Sequence, residues 1–277
     1  MRLPQKDKLF IRGLVLYQDQ DVIVLNKPAG LAVQGGTKTE RHVDGLLPGL
    51  VAEGEERPRL VHRLDRDTSG VLVVAANARA AAALAQSFRA RDTRKTYWAL
   101  TQGLPLPRAG KIDAALIKRA AADGREKVRV AFDDEEEDVK SAVTLFETME
   151  TATTIAWLAL MPLTGRTHQL RAHCAAIGTP IMGDGKYGGE PSRRHGEIPK
   201  KLMLHARELR IRHPNGKWLD LVAPLPAHMA KVWDMFGFDQ DDKRRLFAEP
   251  VKPHLAKKDH RPYDKDFRPR RGKERVR

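Results

Sequence analysis

Charged residues gathered directly before an apolar run are the first candidates for chemistry in this chain. Residues 60–75 read LVHRLDRDTSGVLVVA, with Arg63, Asp65, Arg66 and Asp67 just ahead of the run VLVVA, which is typical of a buried strand. Charges beside a core strand are costly to desolvate unless they pair or take part in a reaction. On spacing alone, an ion-paired loop is at least as good an interpretation as a loop that presents a nucleophilic carboxylate.

Two further stretches hold candidate site residues. Tyr97 lies in the string KTYWAL, residues 95–100, and from composition alone it fits a core or surface aromatic side chain. The second stretch, residues 163–173, reads LTGRTHQLRAH. Here Thr167 is a candidate N-cap for a helix that Gly178 would end.

The two histidines of the second stretch do not fit a metal site. His168 and His173 are five residues apart, roughly 140° around a helix, so they do not share a face as zinc ligands would. The chain has one cysteine, Cys174, and no third ligand in register. We therefore expect no metal, no intrachain disulfide and a reducing compartment such as the cytoplasm.

Together these strings resemble the catalytic signature of the RluA-type pseudouridine synthases, which isomerise uridine in RNA. The string RLDRDTSG is long and unbroken, so it is more specific than a short motif. The resemblance implies that Asp65 is the catalytic nucleophile, that Tyr97 stacks on the target base and that Arg171 pairs with Asp65. It also implies that Arg63 helps to fill the space vacated by a flipped uridine, with His62 assisting.

Other residues of the same strings are candidate contacts or supports. Arg66 and Arg166 are candidate RNA contacts, while Asp67 fits a structural partner of Arg66 or of backbone amides. The string NKPAGL, residues 26–31, resembles the family's first motif, which supports the catalytic loop without reacting. The expected structural supports of the site are Asn26, Lys27, Pro28, Thr68, Ser69, Gly70, His168 and Gln169.

The resemblance covers about residues 14–236 and implies the fold. We expect an α+β protein with the pseudouridine synthase fold, in which a mixed, mainly antiparallel central sheet forms two subdomains that flank a catalytic cleft. A loosely held basic segment would occupy residues 1–12, the catalytic domain residues 13–240, and a basic, disordered tail residues 241–277. Many members carry a small S4 RNA-binding domain first; this chain begins almost at the first catalytic strand, which indicates a member without that domain or a shortened sequence.

The pattern of apolar residues and turn signals predicts a strand-rich domain. Asn77 is a candidate N-cap for a helix after the strand that follows Asp65. The predicted strands cover residues 14–17, 22–26, 71–75, 155–161, 209–212 and 218–222, and further helices are predicted over residues 42–50 and 226–237. These elements would position the three site stretches around one sheet.

The charge of the chain indicates its class of partner. The formal net charge is +14 and the pI about 10.0, which predicts attraction to polyanions such as RNA. No apolar run approaches the roughly 20 residues needed to span a bilayer, so no membrane partner is expected. The acidic run over residues 133–138 would repel phosphate and is expected off the RNA path.

We therefore expect a monomeric RNA pseudouridine synthase that works without a cofactor, since the isomerisation needs no external reductant or energy source. The string AVQGG around Gly35 resembles RluC-like members and favours 23S rRNA as the substrate; tRNA is the close alternative. A second class is an N-glycosidase that uses Asp65 on the same bond. A third is a non-catalytic RNA-binding or ribosome-assembly protein, which would not require Asp65, Tyr97 and Arg171 together.

Overall fold

A computed structural model describes residues 3–36, 39–90, 93–120, 126–131, 138–189, 198–244 and 246–247 of the chain. By its internal contacts the chain divides into Met1–Arg244 and Arg245–Arg277, and every helix and strand below belongs to the first unit. Most of the acidic run (residues 133–137) and most of the expected tail (residue 245 and residues 248–277) lie outside the described residues.

The described residues form five α-helices and twelve strands. In chain order these are α1 (Gln5–Arg12), β1 (Val15–Gln18), β2 (Val22–Lys27), α2 (Val43–Leu46), a 3₁₀ turn (Leu47–Leu50), β3 (Arg59–Leu60), β4 (Ser69–Ala75), α3 (Ala78–Arg89), β5 (Arg94–Gln102), β6 (Ala109–Asp113), β7 (Leu116–Ala120), β8 (Glu126–Val130), β9 (Val143–Ala152), β10 (Ile155–Pro162), α4 (Gln169–Ala176), β11 (Leu204–Arg212), β12 (Trp218–Val222) and α5 (Ala227–Phe236). All six strands predicted from the sequence are present.

One ten-stranded sheet organises these elements. Its order is β1-β2-β4-β11-β5-β10-β9-β6, with β12 beside β11 and β3 beside β4, while β7 and β8 form a separate hairpin. Every pair in the large sheet is antiparallel except β4 with β11. This confirms the predicted α+β class with a mixed, mainly antiparallel sheet.

The β2 and β4 part of the sheet is covered on both faces. Val71 and Val73 pack on one side against α3, whereas Leu72 and Val74 pack on the other side in a core shared with α1 and α2. Both faces of β4 are therefore away from water, which explains why its apolar run is continuous rather than alternating. Asp65 precedes this doubly buried strand, so its loop has a rigid base.

The β5 and β10 part of the sheet has an aromatic core. Trp98 of β5 and Trp157 of β10 meet edge to face, with ring centroids 4.6 Å apart, and Trp233 of α5 stacks parallel to Trp98 at 6.4 Å. Phe238 contacts both Trp157 and Trp233. This cluster supports the strand that carries Tyr97.

The N-terminal segment is more ordered than the sequence analysis expected. Residues of α1 contact α2 and the 3₁₀ turn, Ile11 is wholly buried in the core, and the Nε of Arg12 donates to the carbonyl of Gly49 at 2.7 Å. The expectation of a loosely held segment is therefore wrong for Gln5–Arg12. The reason is that Ile11 fills part of the core beside β2.

One helix begins at its predicted cap, a second begins and ends where the sequence predicts, and a third begins differently. The side chain of Asn77 caps α3 by accepting from the N–H of Ala80 at 2.8 Å, and α5 lies between Pro226 and Gly237. The expected cap Thr167 is wrong, because α4 starts one residue later, with His168 at its N-cap in the left-handed region (φ 52°).

Glycine is required where β4 meets β11. Gly70 has φ +113°, and a Cβ built on it would lie 2.2 Å from the carbonyl oxygen of Ala206. Ala206 is paired with Gly70 on one side and with Tyr97 on the other. The close approach at Gly70 therefore sets the spacing between the strand after Asp65 and the strand that carries Tyr97.

Gly70→Ala is expected to lower the free energy of unfolding by about 3 kcal/mol, because it adds a clash with β11 to the cost of the left-handed backbone. Gly216→Ala is the matched control, since Gly216 has φ +85° but open space around its Cβ position, and should cost about 1 kcal/mol. Urea unfolding of both variants measures the difference. Equal losses would show that the approach of Ala206 is not a tight constraint.

Candidate active site

The loop that carries Asp65 is held by the buried ammonium of Lys27. This side chain, wholly buried at the end of β2, donates to the carbonyls of Pro28 (2.9 Å), Leu31 (2.8 Å) and Arg66 (2.9 Å). Burial lowers the pKa of Lys27 to about 8, against the opposing effect of nearby carboxylates. At pH 7 the group is still mostly protonated, so all three donors are used and the two loops are joined.

Further hydrogen bonds close the same loop. The N–H of Gly30 donates to the carbonyl of Arg66 at 2.9 Å, and the Nε of Arg66 donates back to the carbonyl of Gly30 at 3.1 Å. The N–H of Thr68, which is buried, donates to the carbonyl of Asp65 at 3.2 Å. The backbone on both sides of the Asp65 side chain is thereby fixed.

A buried serine–histidine pair anchors the start of β4. Ser69 Oγ lies 2.9 Å from His205 Nδ1, and His205 Nε2 lies 3.2 Å from the carbonyl oxygen of Ala223. A carbonyl can only accept, so Nε2 carries the hydrogen and Nδ1 accepts from Ser69. Burial lowers the pKa of His205 to about 4, which keeps it neutral in this role.

The structure brings Asp65 and two residues of the α4 region together. Asp65 Oδ2 lies 3.9 Å from Arg171 Nη1 and 3.9 Å from His168 Nε2. The Asp65 side chain is 23% exposed, compared with 10% for Arg171. The carboxylate is therefore open to a ligand on one side and faces a nearly buried cation on the other.

The strongest partner of Arg171 is Asp184, which the sequence analysis missed. Arg171 Nε and Nη2 donate to the two carboxylate oxygens of Asp184 at 2.7 and 2.8 Å, and the Asp184 side chain has no exposed surface. Arg171 therefore forms its close bidentate pair with Asp184, and only Nη1 faces Asp65, at 3.9 Å. Burial works against the Arg171 charge, but Asp184 and then Asp65 outweigh it and raise the pKa of Arg171.

Tyr187 is a second site residue that the sequence analysis missed. Its hydroxyl lies 2.8 Å from His168 Nδ1, and the Arg171 guanidinium lies 5.0 Å from the centre of its ring. The hydroxyl also accepts from the N–H of Val128 in β8, at 3.3 Å. Asp184 and Tyr187 follow a turn at Gly183 (φ +73°), a signal that predicts a turn but not a site.

Tyr97 stays a neutral phenol beside Asp65. It lies on β5 between Leu160 of β10 and Ala206 of β11, and it packs against the core on the α1 side of the sheet. Burial, and then the negative charge of Asp65, raise the pKa of Tyr97. A phenol of raised pKa is a poor base near neutral pH, so this environment favours stacking over proton removal.

The four residues expected to contact RNA fall into two kinds. Arg63, Arg66 and Arg166 are exposed, although one nitrogen of Arg166 donates to the carbonyl of Ser141 at 3.0 Å and Arg66 is tied to the loop as described above. His62 is different, because its Nε2 accepts from the N–H of Val73 at 2.9 Å.

The surroundings of His62 favour a structural role over the RNA contact that the sequence analysis expected. Its ring packs on Phe88 with centroids 4.5 Å apart. Burial, with a smaller effect of Lys95, lowers the pKa of His62 to about 3, so the ring is neutral and Nε2 remains an acceptor. His62 thus joins the Asp65 loop to β4 and α3.

Gln169 joins α4 to the sheet. Its buried amide donates to the carbonyl of Val143 and to Thr144 Oγ1, and its oxygen accepts from Thr164 Oγ1 and the N–H of Arg166. The other expected supports, Asn26 and Pro28, lie at the end of β2 and in the loop after it, where Pro28 supplies one of the carbonyls bound by Lys27.

The described residues contain no group of three or more His, Cys, Asp and Glu side chains that could hold a metal ion. His173, the second histidine of its stretch, is turned into the core, where Nδ1 lies 2.9 Å from Thr144 Oγ1 and Nε2 lies 3.0 Å from the carbonyl oxygen of Ala114. Within the same part of the chain, none of the helices is both long enough and apolar enough to cross a membrane.

Comparison with known proteins places this geometry in a family. The model of a family described as RNA pseudouridylate synthase matches residues 21–176, which is more than half of the chain. The chain belongs to this family. The matched residues include Asp65, Tyr97 and Arg171, while Asp184 and Tyr187 follow them.

Relatives and a solved structure agree with this assignment. The chain is 43% identical over 201 residues to RNA pseudouridine synthase 4, mitochondrial, of Arabidopsis thaliana, which covers 66% of this chain and 42% of that protein. It is 34% identical over 220 residues to ribosomal large subunit pseudouridine synthase C of Rickettsia bellii, covering 79% and 70%. The structure of human RNA pseudouridylate synthase domain containing 4 matches with a TM-score of 0.70 and 29% identity, covering 84% and 97%. The matched region thus spans less than half the length of the Arabidopsis relative. The match to the human structure confirms the predicted fold.

In this pseudouridylate synthase family member, Asp184→Asn is expected to lower the free energy of unfolding by about 3 kcal/mol, because an amide N–H would face a buried guanidinium donor. Asp113→Asn is the matched control: its pair with Lys111 is exposed, so the loss should stay below about 1 kcal/mol. Chemical denaturation of both variants tests this. A loss for Asp184→Asn no larger than that of the control contradicts the role of this pair.

Proposed function

We propose that this protein is an RNA pseudouridine synthase in which Asp65 is the nucleophile. The observation that carries the proposal is the setting of Asp65: a partly open carboxylate on a loop fixed by Lys27, with Arg171 facing it at 3.9 Å. Family membership supports the same reading. If the loop served only to form ion pairs, Asp65 itself would be expected to form a close pair with a cation. Here the close bidentate pair is instead the one between Arg171 and Asp184.

The reaction breaks the bond between N1 of uracil and C1′ of ribose, turns the base and joins C5 to C1′. The proton on C5 is lost and N1 gains one, so the overall change is an isomerisation and needs no co-reactant. A carboxylate must attack either C1′ or the base, and both routes require Asp65 in its ionised form. Arg171 places a positive charge beside the attacking group, and Asp184 keeps that charge in place.

Tyr97 would provide the surface on which the uracil stacks. The residue is half-buried on β5 and packs against the core beside it. Aromatic stacking of a base contributes about 1–3 kcal/mol in single-stranded complexes. This contribution offsets part of the cost of taking the target uridine out of its own stack.

Arg63 is our candidate for the group that replaces the flipped uridine. Its side chain is exposed two residues before Asp65. Arg66 and Arg166 are also exposed and would contact phosphates, in agreement with the net charge of +14.

The proposed substrate is 23S rRNA, with tRNA as the alternative. The AVQGG string around Gly35 supports the first reading, as does the name of the Rickettsia bellii relative, a ribosomal large subunit pseudouridine synthase.

We also propose that the protein is a cytoplasmic monomer. The one cysteine, Cys174, is buried, and burial raises the pKa of its thiol to about 12, so it is unreactive.

Asp65→Asn is expected to abolish release of tritium from RNA labelled at uridine C5, because an amide is not a nucleophile here. RNA affinity should be unchanged. Separate reactions with 23S rRNA and tRNA, followed by mapping of the modified sites, identify the substrate. Asp67→Asn is the matched control, since Asp67 is an exposed carboxylate on the same loop and should keep at least half of the activity.

Three outcomes would contradict the proposed reaction. Equal activity of Asp65→Asn and wild type excludes Asp65 as the nucleophile. Free uracil among the products indicates an N-glycosidase, because an isomerase retains the base. Binding without tritium release from either RNA indicates a non-catalytic RNA-binding protein.

Arg63→Ala is expected to slow modification of folded RNA about 10-fold or more while leaving a short unstructured oligonucleotide nearly unaffected, because only the folded substrate must be unstacked. The control Arg89→Ala removes one exposed positive charge at the end of α3 and should affect both substrates alike. Single-turnover rates on the two substrates give the comparison. Equal rates for wild type and Arg63→Ala on folded RNA would exclude the proposed role.

A further inference from the structure

His168 occupies a backbone conformation that few non-glycine residues adopt. Its φ of 52° is left-handed, and its side chain does not cap α4. Among non-glycine residues, asparagine, aspartate and histidine are the ones enriched in this region. Such outliers are retained where the surrounding structure uses the side chain. At His168 the conformation directs the imidazole between Tyr187 and Asp65.

The hydrogen bonds of Tyr187 favour one placement of the hydrogen on His168. The N–H of Val128 can only donate, so Tyr187 Oη accepts from it at 3.3 Å. The hydroxyl hydrogen is then available for His168 Nδ1, at 2.8 Å. With Nδ1 as the acceptor, the hydrogen of the neutral ring lies on Nε2.

This tautomer presents an N–H to the catalytic carboxylate. His168 Nε2 and Arg171 Nη1 each lie 3.9 Å from the same oxygen of Asp65, Oδ2. His168 is the N-cap residue of α4 and Arg171 lies in its first turn, so the start of one helix places both side chains near this oxygen. Burial lowers the pKa of His168, and Arg171 and Lys186 lower it further against the effect of Asp65, so the ring adds a donor without a second positive charge.

We propose that His168 is a positioning residue for Asp65: with Nδ1 bound by Tyr187, it places an N–H beside Arg171 on the Oδ2 side of the carboxylate, 3.9 Å from that oxygen, and so leaves Oδ1 to attack the uridine. The inference rests on the proposed function and adds to it which carboxylate oxygen reacts. It also connects the hairpin of β7 and β8 to the catalytic carboxylate, because Val128 belongs to that hairpin.

The tautomer can be measured without any turnover. Nitrogen NMR of the full chain labelled with ¹⁵N-histidine, at pH 7, should show His168 with hydrogen on Nε2 and a bare Nδ1. In Tyr187→Phe the two tautomers should mix, because the donor to Nδ1 is lost. A wild-type ring with its hydrogen on Nδ1, or protonated on both nitrogens, would overturn the proposal.

The kinetic test uses His168→Asn, which suits the left-handed backbone and therefore keeps the fold. We expect kcat for RNA modification to fall about 10- to 100-fold with KM unchanged, since only the placement of Asp65 is lost. His168→Gln, whose amide nitrogen reaches towards the position of Nε2, should recover part of kcat. Wild-type kcat in His168→Asn, or a change confined to KM, would overturn the proposal.

Thr153→Asn is the matched control for the backbone. Thr153 also has φ 52°, in an exposed turn between β9 and β10. An asparagine at this position should therefore raise thermal stability and leave kcat unchanged. A fall in kcat in this control equal to that in His168→Asn would overturn the assignment. If wild type itself modifies no RNA, the proposed function fails and this role with it, whereas an active wild type with a fully active His168→Asn overturns the positioning role alone.

Discussion

The buried ammonium of Lys27 is the interaction on which the Asp65 loop depends. A charge at that depth is strongly destabilising unless each of its donors has an acceptor, and the three acceptors are carbonyls from two different loops. Solvation of one lysine therefore dictates the path of the chain at Arg66, one residue after Asp65. The position of Asp65 follows from this requirement more than from any contact that its own side chain makes.

Arg171 is a second buried cation of the site. It too is satisfied by a separate segment, because Asp184 takes up two of its nitrogens and leaves the third to face Asp65. The Asp65 loop is thus held by one buried cation, and its carboxylate faces a second. Both cations are fixed by partners within the protein, so this electrostatic environment is built into the fold.

The parts of this structure that follow from local pattern were predictable from the sequence. The apolar run of β4, the cap at Asn77 and the stop at Gly237 each depend on neighbouring residues, and each is confirmed. The signature string also identified Asp65 and Arg171, which the structure brings together.

The features that the sequence did not predict depend on contacts between distant segments. The burial of Lys27 requires a carbonyl 39 positions away, and the role of Asp184 is visible only once its turn lies against α4. The order of α1 depends in the same way on a core built by later residues, around Ile11. A pattern within one segment contains no information about such partners.

The parallel pairing of β4 with β11 has a consequence for how the protein is made. Ser69 and its partner His205 are 136 positions apart, so this contact closes one of the longest loops in the chain. During synthesis the signature string emerges early, but the strand beneath it has no neighbour on that side until the ribosome has delivered residue 206. A nascent chain can thus display every residue of the motif around Asp65 and still lack an assembled site. A fragment that ends before residue 206 therefore contains the motif but not the pairing of β4 with β11.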